Sequence, residues 1–344
     1  MESLYNLQLE DIQQFLAELS EPEYRADQIW QGLYQSGWDA WAEFTTLPQE
    51  LRDKLSNRYS LEGLQQEKVL VSEDGFTRKY LYRLGDQSAI ETVLMEYDQR
   101  QTVCISSQVG CAMGCSFCAT GNMGYTRNLN RGEIIEQVLK SAAIVKLQGN
   151  ELTNVVFMGM GEPFHNYENV LSSVKILNDP RGFGMGMRRF TISTVGIVPA
   201  IREFALEGTQ INLAISLHAA DDQLRSSILP VNNKYPIGEL MDACDFYLEE
   251  TNRRITIEWA LIEGVNDSLE QAEKLSRLVR DKLFHVNLIQ LNPVEHYPGQ
   301  PSQDQSAREF QKVLLGAGIP CTIRLRRGID IQAGCGQLAS KSSS

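Results

Sequence analysis

Residues 110–121, GCAMGCSFCATG, place Cys111, Cys115 and Cys118 on one short segment. The Cys-x3-Cys-x2-Cys spacing lets a single loop present three thiolates to a compact inorganic centre. Three cysteines do not saturate four irons, so a 4Fe-4S cluster held this way keeps one iron open to an outside ligand. Gly110 and Gly114 relieve crowding where backbone wraps a cluster, and Phe117 stands ready to shield it from water. Structural zinc is the competing reading, although it takes four protein ligands in paired Cys-x2-Cys or Cys/His form. Ordinary buried cysteines are the third. Of the seven cysteines, Cys104 lies close to this group, while Cys244, Cys321 and Cys335 stand apart. A cytosolic setting keeps such thiols reduced, which argues against structural disulfides.

Working outward from the cysteine loop, the chain alternates apolar strands and amphipathic helices. The expected strands are 102–106 (TVCIS), 154–159 (NVVFMG), 189–193 (RFTIS), 211–217 (INLAISL), 255–262 (ITIEWALI), 286–291 (VNLIQL) and 321–325 (CTIRL). Helical periodicity falls between them at 132–147, 167–178, 197–207, 237–250, 268–282 and 303–316. Repeated β–α units with apolar strands predict a parallel sheet forming a complete or partial barrel. Chemistry in such folds gathers in loops after the strand C-terminal ends. Upstream, 66–98 predicts antiparallel strands, with Asp74-Gly75 as a hairpin turn and a further pair running through AIETVLMEY. Residues 8–60 predict short helices, and YRADQIWQGLYQSG ends in a glycine cap. The expected domains are therefore 1–60 (helical accessory), 61–98 (antiparallel extension), 99–336 (catalytic barrel) and 337–344 (flexible tail).

The formal charge of −12 argues against a generic basic nucleic-acid binder. Residues 1–95 hold 17 acids against 8 bases, so any RNA contact has to come from local patches. Candidates are Arg127 with Arg131, Arg188 with Arg189, and Arg324, Arg326 and Arg327; in the acidic N-terminal part they are Arg52, Lys54 and Arg58. No apolar run approaches the ~18 residues of a membrane span, and MESLYNLQLEDI carries acid where a signal peptide carries base. A cytoplasmic protein is expected.

The cysteine spacing, with an aromatic before the third cysteine and directly after the first barrel strand, resembles the radical S-adenosylmethionine (SAM) superfamily. Its open iron chelates the amino and carboxyl groups of SAM. The likeness extends further through CSFCATGNMGYTRNL, VVFMGMGEPFHNYENV, RRFTISTVGIVPAI, LAISLHAADDQLRSSILPVNNKYP and GIDIQAGCGQL. Together these resemble the dual-specificity adenine-C2 RNA methyltransferases, which act on 23S rRNA and on tRNA. That resemblance implies an α/β fold: a radical SAM partial (β/α) barrel, a small N-terminal helical domain and a short antiparallel β extension. It implies Gly161 and Glu162 at the SAM amino group, where an acid suits an ammonium. Ser193, Ser216, Leu217, His218 and Asn292 would hold the ribose and adenine.

The resemblance also gives Cys335 a role that its glycine-flanked setting, AGCGQ, would not disclose alone. Cys335 would accept a methyl group from one SAM. A second SAM, cleaved reductively, would yield a 5′-deoxyadenosyl radical that takes hydrogen from that methyl, and the resulting carbon radical would add to adenine C2. C2 has no acidic proton and is electron-poor, so ordinary SAM alkylation is closed to it. Cys104 matches the thiol that releases the product through a transient disulfide with Cys335, and Glu91 matches the general base. From pattern alone Cys104 reads as a core cysteine and Glu91 as a surface strand carboxylate. The family implies two SAM per turnover, a flavodoxin- or ferredoxin-type electron donor and a monomer. A related C8 methyltransferase activity, linked to antibiotic resistance, uses the same catalytic residues and is the alternative.

Overall fold

The computed structural model describes residues 1–339; part of the expected tail, 340–344, lies outside the described residues. Seven strands pair in parallel in the spatial order Arg100–Cys104, Asn154–Phe157, Phe190–Thr194, Asn212–Ser216, Ile255–Leu261, Phe284–Gln290 and Cys321–Ile323. Spatial order follows chain order because each strand is returned by a helix packed on the outside, and right-handed crossovers place each successive strand beside the last. The six helices are Arg131–Leu147, Tyr167–Asn178, Val198–Leu206, Ile237–Thr251, Leu269–Val279 and Asp304–Gly316. All seven expected strands and all six expected helices are present. Strand side chains such as Ile192, Leu213, Ile257 and Leu288 are fully buried, as a sheet covered by helices on its outer face and by loops within requires.

The sheet does not close. Beyond Arg100–Cys104 it continues as three antiparallel strands, Ala89–Tyr97, Thr77–Leu84 and Leu64–Val71. The expected antiparallel extension is thus continuous with the barrel sheet, giving ten strands. The opening is bridged by the chain's last segment, 324–339. Arg324 N donates to Leu288 O (2.8 Å), Glu73 N to Asp330 Oδ2 (2.8 Å) and Lys79 Nζ to Gln332 O (3.1 Å). The segment therefore runs from the last strand back over the strand ends to the antiparallel extension.

The N-terminal helices Leu9–Glu18, Tyr24–Gln31 and Gln49–Arg58 bury Trp30, Leu33, Phe44 and Leu55 in a small core. This core docks on the Arg131–Leu147 helix. Asn6 Oδ1 accepts from Gly132 N (2.8 Å), and Glu136 Oε2 accepts from Gly63 N and Leu64 N. Burial raises the Glu136 carboxyl to about 7, with those two backbone donors opposing the shift. Among the described residues no helix is long and apolar enough to cross a membrane.

Candidate active site

The site residues lie at or just past the C-terminal ends of the parallel strands, Ser193 and Ser216 within the last residues of theirs and Gly161, Glu162, His218 and Asn292 in the loops that follow. Cys111, Cys115 and Cys118, with Gly161, Glu162, Ser193, Ser216, His218 and Asn292, line one cavity of about 130 Å³. The sequence therefore named residues that the fold brings together from five strand ends. Gly110 and Gly114 hold φ of 74° and 64°, the left-handed turns by which the loop presents its thiols. Cys111 and Cys115 are buried, and burial pushes both thiols up, Cys111 to about 12. Among the described residues no three His, Cys, Asp or Glu side chains converge on a point that one ion could occupy.

The rest of the cavity suits a polar ligand with an ammonium and a ribose. Gly161 (φ 102°) passes so close to Gln108 that an added Cβ would lie 2.6 Å from the Gln108 side chain, so only glycine brings Glu162 into place. The Glu162 carboxylate accepts from Phe164 N (2.9 Å) through one oxygen and from Val195 N (2.9 Å) through the other. Burial still raises it to about 7, so a ligand ammonium beside it would favour the ionised form. The Ser193 and Ser216 hydroxyls meet at 3.4 Å across neighbouring strands. His218 Nδ1 accepts from Ala260 N (2.9 Å), which leaves Nε2 carrying the proton. Burial, with Arg225 nearby, lowers its pKa to about 3 and keeps the ring neutral. Asn292 Oδ1 is buried without a partner, an acceptor waiting for a donor. Leu217 does not line this cavity; its side chain is in the core and only its backbone is placed near the site.

Cys335 stands where this cavity meets a second one, lined by Cys104, Tyr97, Arg324, Arg326 and Arg327. Its glycine-flanked segment is pinned. Asn292 Nδ2 donates to Cys335 O (3.1 Å), Ala119 N to Gly336 O (2.7 Å) and Thr120 Oγ1 to Leu338 O (2.6 Å). A Cβ on Gly334 would lie 2.5 Å from Asn292, so that glycine serves close packing at least as much as freedom of movement. The Cys335 side chain is exposed at the bottom of a crowded cleft, and burial there raises the thiol to about 11 while Arg324 opposes. Cys104 is buried, and burial raises its thiol to about 12, with Cys335 adding to the effect. Both are free thiols, so the disulfide expected between them is not a standing feature of the fold.

Glu91 departs from its pattern reading. The strand that carries it is interior to the sheet, so the carboxylate is buried, not at the surface. It pairs with Lys79 (3.1 Å) and accepts from Ala339 N (2.9 Å), and it lines neither cavity. The first arginine patch also differs: Arg127 is spent on Asp86 and, through two bonds, on Glu133, and Arg131 donates to Asn6 O. Lys54 pairs with Glu50 and Arg58 lies over Phe15. Of the candidate patches, Arg324, Arg326 and Arg327 line a cavity with Cys104 and Cys335.

The model of the radical SAM superfamily matches residues 105–276, and that of the ribosomal RNA large subunit methyltransferase N-terminal domain matches 2–61. A dual-specificity RNA methyltransferase, RlmN 1 of Myxococcus xanthus, is 50% identical over 92% of this chain and 88% of its own length. An RlmN chain of Chloroflexus aurantiacus is 45% identical over 99% and 93%. The crystal structure of a radical SAM methyltransferase from Sphaerobacter thermophilus superposes with a TM-score of 0.97 at 48% identity, covering 99% of this chain and all of that one. The chain belongs to the RlmN family of radical SAM RNA methyltransferases.

RlmN enzymes work with a 4Fe-4S cluster and two SAM molecules per turnover. Two residues that help this RlmN chain shape its site carried no distinguishing signal in the sequence. Glu258 lines the SAM-side cavity from mid-strand, accepts from Asn287 Nδ2 (2.8 Å) and is held above its usual range by burial. Arg225, fully buried, donates to Leu217 O (3.1 Å), Val195 O (2.6 Å) and Asn232 Oδ1 (2.9 Å), tying together the loops that carry Ser193 and His218. Arg225→Met is expected to cost on the order of 3 kcal/mol in urea unfolding, because buried carbonyls lose charged donors. It should also weaken SAM binding measured by calorimetry; a variant with wild-type stability and affinity would remove Arg225 from this role.

Proposed function

We propose that this chain methylates C2 of adenosine in 23S rRNA and in tRNA, carrying the methyl carbon on Cys335. The observation that supports it best is the position of Cys335, a thiol shared by a cavity fit for cluster and SAM and a cavity lined by arginines. Cys111, Cys115 and Cys118 would hold the cluster, and the chemistry of three thiols in one partly apolar cavity fits that group. Glu162 would take the SAM ammonium, while Ser193, Ser216, His218 and the unpartnered Asn292 Oδ1 would meet its ribose and adenine. Bound together, cluster and SAM supply reductive carbon–sulfur cleavage by one electron from a flavodoxin- or ferredoxin-type donor.

The protein's own part is to place atoms and exclude water. Cys335 brings its methyl carbon to the SAM side for activation and to the arginine side for delivery. The target adenine has to be unstacked, because C2 is closed off in a duplex. Cys104, lining the same cavity as Cys335, loses its proton and attacks the Cys335 sulfur; a disulfide forms as the carbon–sulfur bond to the RNA breaks, and the released carbon keeps the electron pair and takes a proton to become the methyl group. Glu91, on the strand next to that of Cys104 and held by Ala339 N and Lys79, is the base for the C2 proton. Nuclease digestion and mass spectrometry of rRNA and tRNA from a deletion strain test the reading. Loss of 2-methyladenosine, restored by the intact chain, is expected. Persistent 2-methyladenosine, or restoration of 8-methyladenosine instead, would overturn it.

A further inference from the structure

Four side chains from separate segments stack at the outer edge of the Cys104–Cys335 cavity. Phe76 comes from the Asp74-Gly75 turn, Tyr97 ends its strand, Arg100 begins the next, and Arg327 belongs to the bridging segment. The Arg327 guanidinium lies 5.2 Å from the Phe76 ring centre and 4.7 Å from that of Tyr97, and Arg100 lies 4.5 Å from the Tyr97 ring. The result is a ladder of alternating rings and guanidinium groups. Stacking fixes the plane of Arg327 without using its hydrogen-bond donors.

Those donors are left over. Arg327 Nε and NH1 are buried and have no hydrogen-bond partner, and the nearby Asp74 carboxylate is 3.8 Å from NH1, beyond hydrogen-bond reach. Buried donors without acceptors are costly in a resting structure. A guanidinium held flat between rings, with Nε and NH1 lacking hydrogen-bond acceptors, only a long ion pair to Asp74, and Arg324 and Arg326 lining the same cavity, matches the planar recognition of phosphate. Beside it, half of the Phe76 surface is exposed, as is most of Leu325. An exposed aromatic next to a phosphate clamp is the combination that single-stranded nucleic acid uses.

We infer that Arg327, clamped between Phe76 and Tyr97, binds a phosphodiester of the substrate RNA next to the target adenosine, and that Phe76 stacks the neighbouring unpaired base. The target nucleotide is thereby held from the side of the cavity opposite SAM. This rests on RNA being the substrate, but not on which carbon is methylated.

The test compares anaerobically prepared holoenzyme with Arg327→Gln, Arg327→Lys and Phe76→Ala, using an RNA hairpin whose loop carries an unpaired adenosine. Fluorescence anisotropy over a salt series gives Kd and its salt slope, and turnover gives KM and kcat. Arg327→Gln should raise Kd and KM about tenfold and flatten the slope of log K against log salt by about 0.7, the loss of one phosphate contact on single-stranded RNA. Arg327→Lys should keep the slope and recover only part of the affinity, because the charge remains without the fork. Phe76→Ala should weaken binding by roughly tenfold with the slope unchanged, since stacking carries no charge. An Arg327→Gln slope equal to that of the parent would overturn the phosphate clamp, and unchanged affinity in Phe76→Ala would overturn the stacking. Phe76 is half-exposed, so that variant decides even where Arg327→Gln fails to fold. A parent enzyme that methylates at a different carbon would sink the C2 reading and leave these binding comparisons intact.

Discussion

Cys335→Ala is expected to lower RNA methylation by roughly 10⁴-fold or more, the loss that follows when a covalent carrier is removed from a site whose residues act as a unit. The segment is held through backbone contacts, from Asn292 to the Cys335 carbonyl and from Ala119 to the Gly336 carbonyl, which an alanine at 335 keeps. The fold and the SAM-side cavity should therefore survive. Formation of 5′-deoxyadenosine from SAM and dithionite should persist in part, because none of Cys111, Cys115 or Glu162 depends on the Cys335 sulfur. Chromatographic measurement of both products in one reaction separates the two effects. Residual methylation within tenfold of the parent would remove Cys335 from the carbon path. Cys104→Ala supplies the complementary result. If Cys104 releases the product, its loss should leave RNA joined to Cys335, visible as a nuclease-sensitive shift on a denaturing gel. Both thiols are held high by burial, so attack requires that a proton first be taken from Cys104.

The parts of this protein that a sequence discloses are those built from neighbouring residues. Three cysteines within one loop, and strands such as Ile255–Leu261 written as apolar runs, announce themselves because their physics is local. Glu91 misleads for the opposite reason. It reads as a surface carboxylate on a strand, yet that strand lies between Thr77–Leu84 and Arg100–Cys104 in the sheet and the bridging segment's Ala339 donates to the carboxylate. Arg127 looked free because its partner Asp86 lies forty-one positions earlier in the chain. Arg225 and Glu258 hide among surface-like residues, since nothing in DDQLRSS or TIEWA says that the charge is turned inward. The Phe76–Arg327–Tyr97 stack joins segments so distant that no window of sequence contains it. Catalytic loops were legible, and the contacts that hold them in register were not.

Cys115→Ala is expected to abolish cluster loading and, with it, both SAM cleavage and methylation, a fall of about 10⁴-fold or to the detection limit. Cys115 is the middle thiol of the loop and is buried against the apolar side chains of Phe117, Ile228 and Leu229. Burial, reinforced by Cys118 and Cys111, holds its thiol well above the usual range, which means the ligand-free loop is protonated at neutral pH. Loading must therefore release protons. Anaerobic reconstitution should proceed further at pH 8.5 than at pH 6.5, rising about tenfold in apparent affinity for each proton lost per pH unit. Cys244→Ala is the matched control, for Cys244 is a buried free thiol on the Ile237–Thr251 helix that does not line the cavity of the cysteine loop. Iron and sulfide analysis should find a full cluster in that control and next to none in Cys115→Ala. A Cys115→Ala protein that kept its iron, or a parent chain that bound zinc under the same conditions, would refute the ligand assignment.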